Sequence, residues 1–294
     1  MRNLVLLRCG KSSLHHDWLG HRWNERQFDL VLSYFDAEAF AAHIPQEGVH
    51  ALLIPGGKWD GIARSIEACP DILAADYVWL PDDDLATDVG SINDMFRIAQ
   101  TYALSVCQPA LTRDSYYSHL HVLQCDGFQL RYTNSIEVMA PCLDRATLTA
   151  CLPLMAESRS GFGLDWIWTR LADTNPEGGA ILDSVAIRHT RPIGSSLAKT
   201  MSDAERERED MALLHRTGVS TKPYNLCHAA ILTDGRISHS QTRIGFAIWR
   251  NVQKHLAEYL DPGMTKREAI KSLRRHLLRR DRREMITLTP KAQS

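Results

Sequence analysis

Short apolar runs alternate with helical patterns through the first two thirds of this chain, and that alternation limits what it can fold into. Leu4 to Cys9 (LVLLRC), Phe28 to Phe35 (FDLVLSYF), Ala51 to Ile54 (ALLI) and Tyr77 to Leu80 (YVWL) have the length and composition of buried strands. Between them, KWDGIARSIEACPDILAA predicts a helix interrupted near Pro70. Ser91 to Leu104 predicts another, with Ser91 as its N-cap after Gly90. Ser105 to Leu111 reads as a strand broken by Pro109, Ser135 to Ala140 as a further strand, and 145–157 as a helix. Strand and helix in alternation, joined by short linkers, predict an α/β fold: a mainly parallel sheet covered on both faces by helices. Ligands of such sheets bind beyond the carboxyl ends of the strands. Here that rim carries Pro55-Gly56-Gly57-Lys58 and Pro81 to Asp84.

Composition narrows the class. The 294 residues are 44% hydrophobic and 23% charged, which suits a packed core, and the formal net charge of -1 argues against a general nucleic-acid binder. Seven cysteines stand singly at 9, 69, 107, 125, 142, 151 and 227. An odd count without CxxC spacing fits reduced thiols and argues against structural zinc. No apolar run reaches about 18 residues, and the N-terminus lacks the pattern of a signal peptide. The expected location is the cytoplasm, with the inner face of the membrane as a peripheral variant.

The last third differs in character. Asp203 to Arg216 predicts a charged, solvent-exposed helix, and Gln241 to Leu260 another. Met264 to Arg283 holds nine basic residues between Lys266 and Arg283, with Ile270, Leu273 and Leu277 at helical spacing beside them. The expected organisation is a catalytic domain over 1–200 and a helical extension with a basic end over 201–294. Such a basic helix is either a solvated face or a surface drawn to anionic lipid.

The chemistry concentrates at YVWLPDDDL, where an apolar strand runs straight into Asp82, Asp83 and Asp84. An acidic run is ordinarily a solvated loop. At a ligand rim, an Asp-x-Asp holds a hard cation such as magnesium or manganese, which in turn neutralises a diphosphate. A second element, SGFGLDWIW, puts Gly161 and Gly163 where the backbone can approach a ligand, and Asp165 at a helix start. A third is His189, after the strand-like ILDSVAI. Lys58 stands near a helix start, within reach of a phosphate or as an exposed lysine. Glu137 points toward the same rim as an acceptor contact or a satisfied polar group. Trp166 is a candidate substrate contact, although Trp79, Trp166 and Trp168 also suit the core.

Taken in order, these elements resemble GT-A type glycosyltransferases. More specifically, FDLVLSYFD, GKWDGI, DYVWLPDDDL, CQPAL, IEVMAPCLDR, GFGLDW and DSVAIRHTRPIG resemble the successive motifs of domain-of-unknown-function family 707 of plants and bacteria, over about 3–196. The resemblance implies a GT-A-like, Rossmann-type sheet with a C-terminal helical extension. It implies a metal-dependent transfer of sugar from a nucleotide-sugar to a glycan or lipid-linked acceptor. Asp82, Asp84 and His189 would hold Mn2+ or Mg2+. Lys58, Asp82, Asp83, Gly161 and Gly163 would line the donor site, Glu137 and Trp166 would meet the substrate, and Asp165 would act as base. The SLHHDW segment would add donor-side contacts. The rivals are an inactive binding module of the same fold, a metal-dependent phosphohydrolase, and a nicotinamide-dependent oxidoreductase, the last weakened by the absence of GxGxxG after the first strand.

Overall fold

The structure, a computed structural model, describes residues 1–20, 22–171, 179–194, 201–218 and 224–279. In chain order, β1 (Asn3–Cys9), α1 (His15–Leu19), β2 (Asp29–Tyr34), α2 (Ala37–Ala41), β3 (Val49–Leu53), α3 (Lys58–Ala68), β4 (Tyr77–Trp79) and β5 (Leu85–Ala86) form the first half. Then come α4 (Val89–Thr101), β6 (Val106–Leu111), β7 (Phe128–Thr133), β8 (Cys142–Asp144), α5 (Arg145–Glu157), α6 (Leu164–Ile167) and β9 (Gly179–His189). The chain ends with α7 (Asp203–Arg216), β10 (Cys227–Leu232), β11 (Ile237–Ser238), α8 (Gln241–Lys254) and α9 (Pro262–Leu278).

One mixed sheet organises the molecule, in the order β11-β10-β7-β9-β6-β8-β4-β1-β2-β3, with β5 paired to β9 off that path. Strands β3, β2, β1, β4, β6, β9 and β10 run in one direction, while β8, β7 and β11 run in the other. The fold is therefore a mostly parallel sheet flanked by helices, with a helical C-terminal region. Every residue of β1 is buried, so both of its faces are covered, as expected for a central parallel strand. Helices α3 and α5 pack on each other and over β1, β2, β4 and β8, whereas α4 lies against β6 and β9. Trp59, Ile62 and Ile66 of α3 and Val89, Ile92, Met95 and Phe96 of α4 recur at helical spacing and are buried.

Several local expectations change. The N-cap of α4 is Asp88, whose carboxylate accepts the Ser91 amide at 3.0 Å; Ser91 is already inside the first turn. Ser135 to Ala140 is a loop, because side chains and loop carbonyls take its backbone groups: the Glu137 amide donates to Gln108 Oε1 (2.7 Å) and the Ile136 carbonyl accepts Trp168 Nε1 (3.0 Å). Pro109 does not break β6. Proline offers no amide to the neighbouring strand. Beside it the register against β9 jumps from Leu182 to Ala186, and Asp183 turns instead to the guanidinium of Arg131 at 2.8 Å from both oxygens. Strands β10 and β11 extend the sheet from a region where the sequence pattern predicts only helices.

Candidate active site

The acidic triplet lies in the loop from β4 to β5, and backbone bonds at both ends fix it. The Leu80 amide donates to the Pro141 carbonyl (2.9 Å) and the Asp82 amide to the Met139 carbonyl (2.8 Å). Leu85 then pairs with His189, the last residue of β9. Three adjacent carboxylates repel one another, and each has found a different partner. Asp82 Oδ1 accepts from Lys58 Nζ at 2.6 Å, and Lys58 also donates to the carbonyls of Val138 (2.6 Å) and Met139 (3.2 Å). Asp83 Oδ2 accepts the Gly10 amide at 3.1 Å, and its Oδ1 lies 3.4 Å from Arg191 Nη1. Asp84 Oδ2 lies 3.3 Å from His189 Nε2, while its Oδ1 is buried and has no hydrogen-bond partner.

The electrostatics follow from these partners. Burial pushes the Asp82 carboxyl up, and the Lys58 ammonium only partly opposes it. Burial likewise raises Asp83 against the pull of the Gly10 amide and the Arg191 charge. At Asp84 burial acts upward too, but the bond from His189 and the charges of His189 and Arg191 outweigh it and hold the carboxyl below its ordinary value. His189 mirrors this: burial disfavours its charged form, and the Asp84 bond and charge overcome that and raise it.

His189 is held from behind. Its Nδ1 donates to the Tyr116 carbonyl at 2.9 Å, and its amide donates to Ser115 Oγ at 3.1 Å. That tautomer leaves Nε2 facing Asp84, the orientation in which an imidazole ligates a metal. Together with the orphaned Asp84 Oδ1 it offers a cation two donors. No cluster of three or more His, Cys, Asp or Glu that could hold a metal occurs among the described residues. Magnesium-type shells are commonly completed by waters and substrate phosphates, so the pair fits such a cation. Asp82, expected as a further ligand, is engaged by Lys58.

The other half of the site is the loop before α6. Gly161 has φ +78° and Gly163 φ +95°, a backbone that disfavours side chains. The close approach they permit is to protein. A Cβ on Gly161 would sit 1.9 Å from Trp59 Nε1, and one on Gly163 would sit 3.1 Å from Leu213 Cδ2. The glycines expected to line a donor pocket therefore shape the loop that carries Asp165, whose Oδ1 accepts the Gly163 amide at 3.0 Å. Trp166, at 3% exposure, belongs to the core with Trp79 and Trp168 and meets no open surface. In SLHHDW, His15 and Trp18 are buried, and Trp18 Nε1 donates to the Leu85 carbonyl at 2.6 Å.

Glu137 joins the two halves. It is 6% exposed, and its Oε1 has no hydrogen-bond partner. Burial first, and the charge of Asp165 second, push its carboxyl up to about 8, with His189 opposing and Asp82 adding to the rise. A protonated acid close to another carboxylate is a common arrangement for moving a proton.

The sequence pattern also passes over one residue. Glu209 of α7 places a single oxygen, Oε1, within reach of four donors on the loop: Ser158 Oγ (2.7 Å), the Arg159 amide (3.0 Å), the Ser160 amide (2.9 Å) and Ser160 Oγ (2.9 Å). The helix expected to be solvent-exposed thus clamps the loop of Asp165, and Asp210, Leu213 and Leu214 on it are buried. No spacing in the sequence signals a carboxylate that caps a loop about fifty positions away.

No protein-family model matches the chain, and no curated protein does. Solved structures match at low scores. The Staphylococcus aureus TarS fragment 1–349 is 12% identical, with a TM-score of 0.40 over 94% of this chain and 90% of that one. The same fragment with UDP-GlcNAc is 10% identical with a TM-score of 0.44, again over 94% and 90%. The longer TarS structure is 11% identical with a TM-score of 0.43, over 94% of this chain and 55% of that one.

Proposed function

We propose that this chain is a glycosyltransferase that moves a sugar from a nucleotide-sugar donor to a hydroxyl of a glycan or lipid-linked acceptor, with a divalent cation held by Asp84 and His189. The observation that carries the proposal is the buried, unpartnered Asp84 Oδ1 beside an imidazole whose Nε2 faces the same carboxylate, at the carboxyl rim of a mostly parallel sheet. A buried carboxylate oxygen without a partner is rare and calls for one. The ordered resemblance of the sequence motifs to GT-A type transferases points the same way.

Bound there, Mn2+ or Mg2+ would supply Lewis-acid stabilisation of the charge on a leaving nucleoside diphosphate. Lys58 adds the only ammonium bonded to the triplet among the described residues, and it is drawn from Asp82 toward a phosphate that competes for it. Asp83 keeps the loop after β1 in place through the Gly10 amide. Asp165 takes the proton of the acceptor hydroxyl as general base. Glu137, protonated near neutrality, offers a hydrogen bond to the acceptor or to Asp165 without adding charge.

The test is titration calorimetry with uridine, guanosine and adenosine diphosphate sugars, with and without manganese, on the native protein and on Asp84→Asn. Manganese-dependent binding of one nucleotide class, lost in the folded variant, is the expected result. Binding that ignores both manganese and the substitution would remove Asp84 from the site. Binding of a nicotinamide cofactor alone would replace the transferase with an oxidoreductase.

A further inference from the structure

Helix α9 packs the wrong way round for a core helix. Its inward face is Thr265, Ala269, Ser272 and His276, all buried at helical spacing and all small or polar. Tyr117 Oη and Thr265 Oγ1 lie 2.8 Å apart on that face, and His276 Nε2 accepts the Cys227 amide at 3.1 Å. Gly245 of α8 lets His276 come close, since a Cβ there would meet His276 Cβ at 2.4 Å. Leu273 is half-buried on the flank, but other large apolar residues point outward: Ile270 is 38% exposed, Leu277 45% and Leu278 80%. Between them, on roughly the same half of the helix circumference, stand exposed Lys266, Arg267, Lys271 and Arg274. The one acidic residue of α9, Glu268, lies on the flank and pairs with Lys271 at 2.7 Å. Three more arginines follow at 280, 282 and 283, outside the described residues.

We infer that the outward face of α9 is a docking surface for an anionic lipid bilayer. Cations alone would suit any polyanion. Exposed leucine and isoleucine interleaved with them need hydrocarbon to enter, and the headgroup–acyl boundary supplies negative charge and hydrocarbon at the same depth. A second copy of the chain would oppose the same positive charge and is disfavoured. No helix among the described residues is long and apolar enough to cross a membrane. Attachment through α9 is therefore peripheral, and it is independent of the chemistry proposed for the rim.

Vesicle flotation of the full chain tests this, using phosphatidylcholine alone and phosphatidylcholine mixed with phosphatidylglycerol. The expected result is binding only to the mixed vesicles, weakening as salt rises. Arg267→Gln with Arg274→Gln lowers partitioning about 25-fold, each basic residue near the surface contributing about fivefold. Ile270→Ser with Leu277→Ser also lowers it at low salt, with every charge intact. All four positions face outward, so circular dichroism and melting should show both variants folded. No binding to mixed vesicles, or binding that survives the loss of Ile270 and Leu277 and is competed away by duplex DNA, would overturn the assignment in favour of a solvated face or a polyanion site.

Discussion

Lys58 Nζ lies 2.6 Å from Asp82 Oδ1 and at the same time reaches the carbonyls of Val138 and Met139, so one ammonium ties the start of α3 to the acidic triplet and to the loop after β7. Charge-assisted bonds of this kind contribute more than neutral ones. Lys58→Met removes all three and leaves Asp82 beside Asp84 without its counter-charge. We expect a loss of about 2 kcal/mol in urea unfolding, on the scale of a hydrogen bond to a charged group. We also expect weaker binding of nucleotide-sugar. Unchanged donor affinity would assign Lys58 to the fold alone.

Asp84→Asn keeps the shape of the side chain and removes its charge. On the proposed function, manganese affinity in the presence of nucleotide falls by roughly 10- to 100-fold or more, and the thermal midpoint without ligand drops modestly because His189 loses its carboxylate partner. His189→Gln lowers the same affinity and exposes the Tyr116 carbonyl as a lost partner. Calorimetry at fixed nucleotide concentration reads both.

Glu209→Gln keeps a carbonyl-type acceptor in place and loses the charge that four donors converge upon. We expect about 2 kcal/mol of lost stability. If α7 holds Asp165 in register, turnover falls while donor affinity stays, and Glu209→Asp, too short to span the gap, behaves worse than Gln. Equal falls in donor affinity and turnover would mean general loosening.

Glu137 gives a pH dependence with a definite sign. Its ordinary value of 4.5 rises to about 8 in the folded chain. Across that interval the native state keeps a proton that the unfolded chain has released. The contribution to stability is therefore complete below about 4.5 and is lost as pH climbs through about 8. Denaturant unfolding of the native protein and Glu137→Gln at pH 5, 7 and 9 checks this: the variant should lose less stability with rising pH.

Gly161→Ala asks for a φ of +78° from an alanine and places its methyl against the Trp59 indole. Backbone strain and overpacking together should cost about 3 kcal/mol. A melting curve decides it, and an unaffected midpoint would show that Trp59 has room to move.

Why was half of this legible in the sequence? Strands β1, β2 and β4 are buried on both faces and leave contiguous apolar runs, which is the signal a sequence displays most openly. Strand β7, FQLRYT, hides because its centre is Arg131, fully buried against Asp183. A pattern of apolar residues cannot mark a strand whose core position is an ion pair. Asp84 and His189 come within 3.3 Å because β5 pairs with β9. Partner choice was hidden. Lys58 and Asp82 are 24 positions apart, Asp83 and Arg191 108, and nothing in their spacing couples them. Trp166, a candidate substrate contact that also suits the core, faces the core, because side chains at successive helical positions face different ways and only Asp165 is turned toward the loop.

Neighbours in sequence, Lys58 and Trp59 stay in touch at the first turn of α3, the ammonium lying 5.1 Å from the centre of the indole ring. The ammonium also bonds Asp82, and the indole fills the space beside Gly161 under the loop that carries Asp165. On the proposed function, a phosphate that draws Lys58 away from Asp82 would pull on the same turn that seats Trp59. Donor occupancy would thereby be felt at the loop of Asp165 through two adjoining residues in contact. For the proposed transferase, such a linkage would favour compulsory-order kinetics, with the nucleotide-sugar arriving first and the acceptor second.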